Sequence, residues 1–232
     1  MLIKVTKKNT ENKLENVWVI IPAHNEEKNI GNVIDKCKKY TNNIVVVDDG
    51  SLDNTSMIAE KKGVVLIKHL VNLGKGATLK TGCFYAYRNK ANIIVLLDGD
   101  GQHNPDLIPT FLKKLKDSDI VLSYRRFNKK MPVIFRVGNN FINFIIKLFF
   151  NIKVKDSQCG YRVFWAKNFK KIRWRAHDYS MESEMLANIG KSKLRYKQVP
   201  IETLYKDDYK GTTVLDGIKI VYYIMKWWVV KW

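Results

Sequence analysis

The stretch IIVLLDGDGQHNPD, residues 93–106, decides the fold. Five apolar residues run without a break into Asp98, Gly99, Asp100 and Gly101, and Asn104-Pro105 then opens a helix. An uninterrupted apolar strand is buried on both faces, the habit of parallel sheets covered by helices. The same grammar recurs upstream. VWVII (17–21) stops at Pro22 and passes into AHNEE, and IVVV (44–47) passes into DDGSLDNT (48–55). VVLI (64–67) supplies one more strand.

Between these strands the apolar residues change to helical spacing. Ile30, Val33, Ile34 and Cys37 form one stripe; Leu79, Gly82, Cys83 and Ala86 a second; Ile108, Phe111, Leu112 and Leu115 a third. Strands alternating with amphipathic helices predict an α/β, Rossmann-like fold: a mostly parallel central sheet with helices on both faces. Ligands of such sheets bind beyond the carboxyl ends of the strands, where His24, Asp49 and Asp98 stand.

The chain has 232 residues, 46% of them hydrophobic, which suits one globular domain. We place it at 17–210, after a loose polar arm at 1–16 and before an amphipathic, basic and aromatic-rich C-terminal helical elaboration at 211–232. Cys37, Cys83 and Cys159 are widely spaced and lack a CxxC pair, so reduced thiols and a cytoplasmic protein are expected.

The formal charge is +19 and uneven: residues 1–122 carry 18 basic and 14 acidic side chains, residues 123–232 carry 23 and 8. The second half is therefore expected to face an anionic partner. Its Phe-rich run, FINFIIKLFFNI (141–152), falls short of the roughly 20 apolar residues a bilayer crossing needs, leaving a buried helix or an interfacial one. In DGIKIVYYIMKWWVVKW (216–232), Ile218, Val221, Tyr222 and Met225 make an apolar stripe beside Lys219 and Lys226, a composition suited to the headgroup level.

Two carboxylates one residue apart repel unless a cation or hydrogen bonds offset them, so Asp98 and Asp100 imply a compensating ligand, with Gly99 and Gly101 relieving the turn. Mg²⁺ or Mn²⁺ prefers oxygen ligands, and Asp100 with Gln102 would leave coordination positions for a diphosphate. In PAHNEE (22–27), Asn25 reads as a helix cap and His24 projects from a strand end. In NLGKG (72–76), Lys75 between two glycines reads as a phosphate contact, although GxxxxGK[ST] is missing.

The order of IPAHNEEKNI, VVVDDGSLDNT, NLGKGATLKTG, LLDGDGQHNPD and DSQCGYRVF resembles family 2 glycosyltransferases of GT-A fold, in particular the polyprenyl-phosphate (dolichyl-phosphate) mannose and glucose synthases. The resemblance covers about residues 17–210 and implies a nucleotide pocket lined by Pro22, His24 and Glu26, with His24 where the mannosyl enzymes often carry Tyr. It implies base and ribose contacts at Val47 and Asp49, and a DxD motif at Asp98, Gly99 and Asp100, with Asp100 and Gln102 as metal ligands. Asp156, Gly160, Tyr161 and Arg162 match its acceptor-side motif. MESEML (181–186) matches a helix with an acid near the reaction centre, Glu184 or Glu182. Lys206 and Lys210 are alternatives for a basic loop over the diphosphate.

The resemblance implies a metal-dependent, inverting transfer of a hexose from a GDP- or UDP-sugar to a polyprenyl phosphate. A phosphate monoester is ionised at neutral pH, its second pKa being about 6, so it needs cations rather than a general base. Arg125, Arg136 and Arg162 are the candidates for that phosphate. An anionic membrane surface at the cytoplasmic face is the expected partner of the basic half. The competing reading is a soluble enzyme glycosylating a glycan or protein hydroxyl with Glu184 or Glu182 as base. A nucleic-acid-binding module would leave the strand-end motifs unexplained, so no nucleic acid is expected.

Overall fold

The computed structural model of the protein describes residues 16–126, 133–202 and 214–229. Lys206 and Lys210, and nearly all of the N-terminal arm, lie outside them. The chain alternates strand and helix as far as residue 125: β1 (Val17–Ala23), α1 (Ile30–Lys38), β2 (Asn43–Asp49), α2 (Thr55–Lys61), β3 (Val65–His69), α3 (Lys75–Arg88), β4 (Ile93–Leu96), α4 (Ile108–Leu115) and β5 (Ile120–Arg125). The second half carries α5 (Val133–Phe150), β6 (Arg162–Trp165), α6 (Phe169–Ile172), α7 (Met181–Lys191), β7 (Tyr196–Ile201) and α8 (Val214–Val229).

The sheet order is β3-β2-β1-β4-β6-β5-β7, parallel except for β6, which runs antiparallel to both β4 and β5. From β1 the chain builds outward to β2 and β3, then returns to place β4 on the other side of β1. That reversal opens a crevice at the carboxyl ends of β1 and β4. Because β6 alone is reversed, its first residues, next to Tyr161, start at the same sheet edge where β4 and β5 end.

The strands are buried because both faces are covered. One apolar cluster gathers Ile20, Val45, Val47, Leu79 and Cys83; the opposite one gathers Val19, Ile21, Ile34, Val46 and Phe111. The three helical stripes face inward as their spacing requires; only Leu112 stays partly exposed. Gly82 lets α3 approach the sheet closely, since a Cβ there would stand 2.3 Å from Ile20 Cγ2. All three cysteines are buried and unpaired.

Two local expectations change. Strand β1 continues through Pro22 to Ala23, because its ladder with β4 ends at Ile20 and Leu96, so the missing N–H of Pro22 interrupts no bond on that side. Asn25 is not a helix cap: it sits at φ +55°, and α1 begins at Ile30 behind Asn29.

Helices α5, α7 and α8 pack on one another beneath the sheet. Ile142, Ile146 and Phe150 of α5 and Ile220, Ile224 and Trp227 of α8 point inward. Of the α8 stripe read from sequence, Tyr222 and Met225 are exposed and Val221 packs partly buried against the core, while the Ile218 side chain lies outside those described. Thus α5 buries one face and leaves the other open. No helix among the described residues is long and apolar enough to cross a membrane.

Candidate active site

The first two strand-end motifs are stitched together. Asn25 N–H donates to Ser51 Oγ (2.9 Å), Leu52 N–H to Asn25 Oδ1 (2.9 Å), Glu26 N–H to Thr55 Oγ1 (2.8 Å) and Glu27 N–H to Asp53 Oδ2 (3.0 Å). The exposed His24 donates from Nδ1 to the Asp49 carbonyl at 2.9 Å, a carbonyl being able only to accept. The Glu26 carboxylate receives Asn29 Nδ2 at 2.8 Å. The polar residues of both loops thus hold the crevice rim in shape, with His24 and half-buried Pro22 and Glu26 along it.

Two residues assigned to base and ribose face elsewhere. Val47 is fully buried in the core between β1 and α3, its side chain enclosed by apolar neighbours. Asp49 is buried and receives Leu73 N–H (3.0 Å), Gly74 N–H (2.8 Å) and His69 Nδ1 (2.7 Å). It fastens the 70–74 loop to the end of β2.

That loop delivers Lys75 to the centre of the site. Gly74 (φ +92°) and Gly76 leave room for the 176–178 backbone, with Gly76 N–H donating to His177 O at 2.7 Å. The glycines therefore serve chain packing rather than a phosphate cradle. The Lys75 ammonium lies 3.0 Å from Asp98 Oδ1 and 3.1 Å from Glu182 Oε1. Burial works against its charge, yet the two carboxylates hold its pKa well above the usual lysine range. Gly160 completes the enclosure: a Cβ there would come within 2.9 Å of Lys75 Nζ and 3.1 Å of Asp98 Oδ2.

Asp98 and Asp100 titrate in opposite directions. Burial raises Asp98, but the charges of Lys75, His103 and Arg125 outweigh it and hold the carboxyl below the usual range. Asp100 is raised, first by burial and then by the Asp98 charge, although Gln102 N–H donates to its Oδ1 at 2.9 Å. Gly99 packs on the Pro22 carbonyl, where a Cβ would stand 2.8 Å away, so the two acids sit at the mouth of the β1/β4 crevice. His103 was not singled out in the sequence. It is buried 3.6 Å from Asp98 Oδ2, its ring against Tyr161, which stacks on Phe111 at 4.4 Å.

Among the acceptor-side candidates, Arg125 ends β5 in a bidentate clamp: Nε to Asp156 Oδ2 at 2.7 Å and Nη2 to Asp156 Oδ1 at 3.1 Å. Asn139 of α5 also reaches Asp156 Oδ1, at 3.2 Å, and Arg136 stands half-buried one turn before it. Arg162 is different. It is 1% exposed and donates to the carbonyls of Cys159, Glu182 and Ser157 at 3.1, 2.8 and 3.0 Å, so it braces the chain from within.

Glu184 is turned away from Lys75. Its carboxylate receives Arg175 N–H (3.0 Å) and Ala176 N–H (2.9 Å), on the far side of α7 from Asp98. Glu182 is the acid that faces the site. Residues two apart on a helix point about 160° from each other, so only one of the pair can do so.

A Rossmann-like sheet with paired aspartates beyond a central strand and cations from neighbouring strand ends is the architecture of GT-A glycosyltransferases. The family model for glycosyl transferase family 2 matches residues 18–173, and the chain belongs to that family and is a glycosyltransferase. It is 39% identical over 219 residues to an uncharacterized protein of Methanocaldococcus jannaschii, covering 90% of each chain. It is 37% identical over 237 residues to the UDP-N-acetylglucosamine–dolichyl-phosphate N-acetylglucosaminyltransferase of Methanococcus voltae, covering 90% of this chain and 94% of that one. Among solved structures, glucosyl-3-phosphoglycerate synthase from Mycobacterium tuberculosis, in complex with Mn²⁺, UDP and phosphoglyceric acid, superposes with a TM-score of 0.72 at 17% identity, over 93% of this chain and 79% of that one.

Proposed function

We propose that the protein transfers a sugar from a UDP-sugar, of the N-acetylglucosamine type, to the phosphate of a polyprenyl lipid such as dolichyl phosphate, at a membrane surface. Similarity over 90% of this chain to the Methanococcus voltae enzyme, whose name states that donor and acceptor, favours UDP over the GDP-mannose alternative. The observation that carries the acceptor class is Arg125. It is a cation aimed by Asp156 toward the sheet edge, close enough for its charge to lower the Asp98 pKa. A lipid phosphate brings its own ionised nucleophile, so a positioned cation is what it requires.

The donor half fits a divalent cation, Mg²⁺ or Mn²⁺. Asp100 is a carboxyl made costly to ionise by burial and by Asp98, and a cation would relieve that cost. Among the described residues no group of three His, Cys, Asp or Glu side chains converges as in an all-protein metal cage. Asp100 and Gln102 would hold the cation, with diphosphate oxygens supplying further ligands. When bound, it supplies neutralisation of the charge developing on the leaving diphosphate.

The remaining work falls to the chain. Lys75 and His103 keep Asp98 ionised and oriented, and Pro22, His24 and Glu26 line the rim where the nucleoside lies. Arg125 and Arg136 hold the acceptor phosphate for attack on the face opposite the leaving group, which inverts the anomeric carbon.

Thermal-shift titrations of UDP, UDP-N-acetylglucosamine, UDP-glucose, GDP and GDP-mannose with Mn²⁺ test the donor. A ligand at a hundred times its Kd stabilises by about 2.7 kcal/mol. UDP compounds should raise Tm in the wild type and fail to do so in Asp100→Ala. Stabilisation by GDP compounds alone would reject the UDP reading.

A further inference from the structure

Helix α5 turns an apolar stripe outward: Val137, Phe141, Phe144 and Leu148 are 61, 53, 58 and 62% exposed. Their spacing puts them on one face, opposite the buried Ile142, Ile146 and Phe150. Helix α8 adds Tyr222, Met225 and Trp228, and the rings of Phe149 and Trp228 meet at 5.1 Å where the two helices touch. Single exposed apolar side chains are ordinary; a stripe continued across two helices marks a surface that another phase or molecule covers.

Beside the stripe a cleft of about 570 Å³ opens between α5 and residues 153–155. Arg125, Arg126, Lys147, Lys153 and Lys155 line it, Phe144 joins it to the stripe, and none of the described residues that line it is a carboxylate. The walls are fixed. Tyr196 Oη accepts Lys153 N–H at 2.9 Å, Gln198 Oε1 accepts Lys155 N–H at 2.9 Å, and Asn143 of α5 donates to Lys155 O at 3.1 Å. The Lys155 ammonium lies 4.5 Å from the Tyr124 ring centroid. The three lysines are solvent-exposed, whereas the Arg125 side chain is 15% exposed and clamped by Asp156.

We infer that the exposed lysines of this cleft, Lys147, Lys153 and Lys155, form a headgroup site for the phosphodiester of an anionic membrane phospholipid, whose chains lie against the α5–α8 stripe. The site is separate from the place of the acceptor phosphate at Arg125. The occupant follows from two chemistries side by side: a cleft whose charged lining residues are all cations takes a phosphate, and the apolar stripe beside it takes hydrocarbon. Nucleic acid or free phosphate would leave the stripe bare. The bilayer presents both, and α5 lies flat on it, so that a lipid-borne acceptor reaches Arg125 from the plane of the membrane. The inference rests on the reading of the acceptor as a membrane lipid.

Flotation of the full-length protein with vesicles tests it, using phosphatidylcholine alone and phosphatidylcholine with 30 mol% phosphatidylglycerol, both free of isoprenoid phosphate. A basic residue near an anionic surface changes partitioning roughly fivefold, so Lys147→Gln/Lys153→Gln/Lys155→Gln should weaken binding to the anionic vesicles on the order of a hundredfold. Lys113→Gln/Lys114→Gln/Lys116→Gln, exposed on and just after α4, should weaken it far less. Phe141→Ser/Phe144→Ser/Leu148→Ser should lower binding to both vesicle types. Equal losses in the two lysine variants, or wild-type binding only after polyprenyl phosphate is added, would overturn the inference. Transfer to detergent-solubilised acceptor reports separately on the proposed reaction, and that transfer should survive all three variants.

Discussion

Replacing Lys75 by Met keeps the aliphatic stem and removes the charge between Asp98 and Glu182. Their side chains are 21% and 2% exposed, so water rehydrates Asp98 in part and Glu182 hardly at all. Removing one partner of a buried pair costs about 3–5 kcal/mol if the other stays ionised. A glutamate can escape by taking a proton: with an ordinary pKa near 4.3, that costs about 3.7 kcal/mol at pH 7 and about 1 kcal/mol at pH 5. The variant should therefore lose about 3–4 kcal/mol of stability at pH 7 and only about 1 kcal/mol at pH 5. The wild-type contribution of Lys75 is constant over that window. Its folded pKa is raised, so the contribution is complete below the unfolded value of about 10.4 and fades only above it. Urea denaturation of both proteins at pH 5, 6 and 7 in metal-free buffer measures the difference, and adding Glu182→Gln to the variant should restore most of the loss at pH 7. A loss of equal size at every pH, or none at pH 7, would refute the buried-pair account.

Arg162→Met should cost on the order of 3 kcal/mol, since it strips the donor from three buried carbonyls at once; a raised acceptor KM with unchanged stability would show that Arg162 faces substrate after all. Gly82→Ala should destabilise by about 1–3 kcal/mol through overpacking against Ile20, read as a lower urea midpoint at constant slope. Asp156→Asn weakens the clamp on Arg125 and should raise KM for the lipid phosphate several-fold while leaving KM for the nucleotide sugar unchanged.

What the sequence discloses is whatever depends on periodicity. Ile30, Val33, Ile34 and Cys37 are all buried because a stripe at helical spacing has one way to face a sheet. The carboxyl ends of β1, β2 and β4 were equally legible, since unbroken apolar runs end in polar turns. Side-chain direction at a motif was not. Arg162 belongs to a motif at the sheet edge, but it opens the one reversed strand and points into the protein, a fact set by β6 pairing with β4 and β5 far along the chain. Glu182 and Glu184 share a helical turn, and only the packing of α7 decides which meets Lys75. His103 gave no signal: its role comes from Tyr161 and Phe111 stacking behind it. Asparagines also interrupt the apolar pattern of the Phe-rich helix, which by itself assigns them no partner. Asn139 and Asn143 instead bind residues 155–157, holding the acceptor-side segment against α5.

The most direct measurement supplies labelled UDP-N-acetylglucosamine with Mn²⁺ and compares three acceptors in one detergent: a polyprenyl phosphate, the corresponding polyprenol without phosphate, and a soluble oligosaccharide. The account predicts a lipid-extractable labelled product from the phosphate alone, lost with excess chelator and with Arg125→Ala. Equal transfer to the polyprenol or the oligosaccharide, or full activity in chelator, would contradict it.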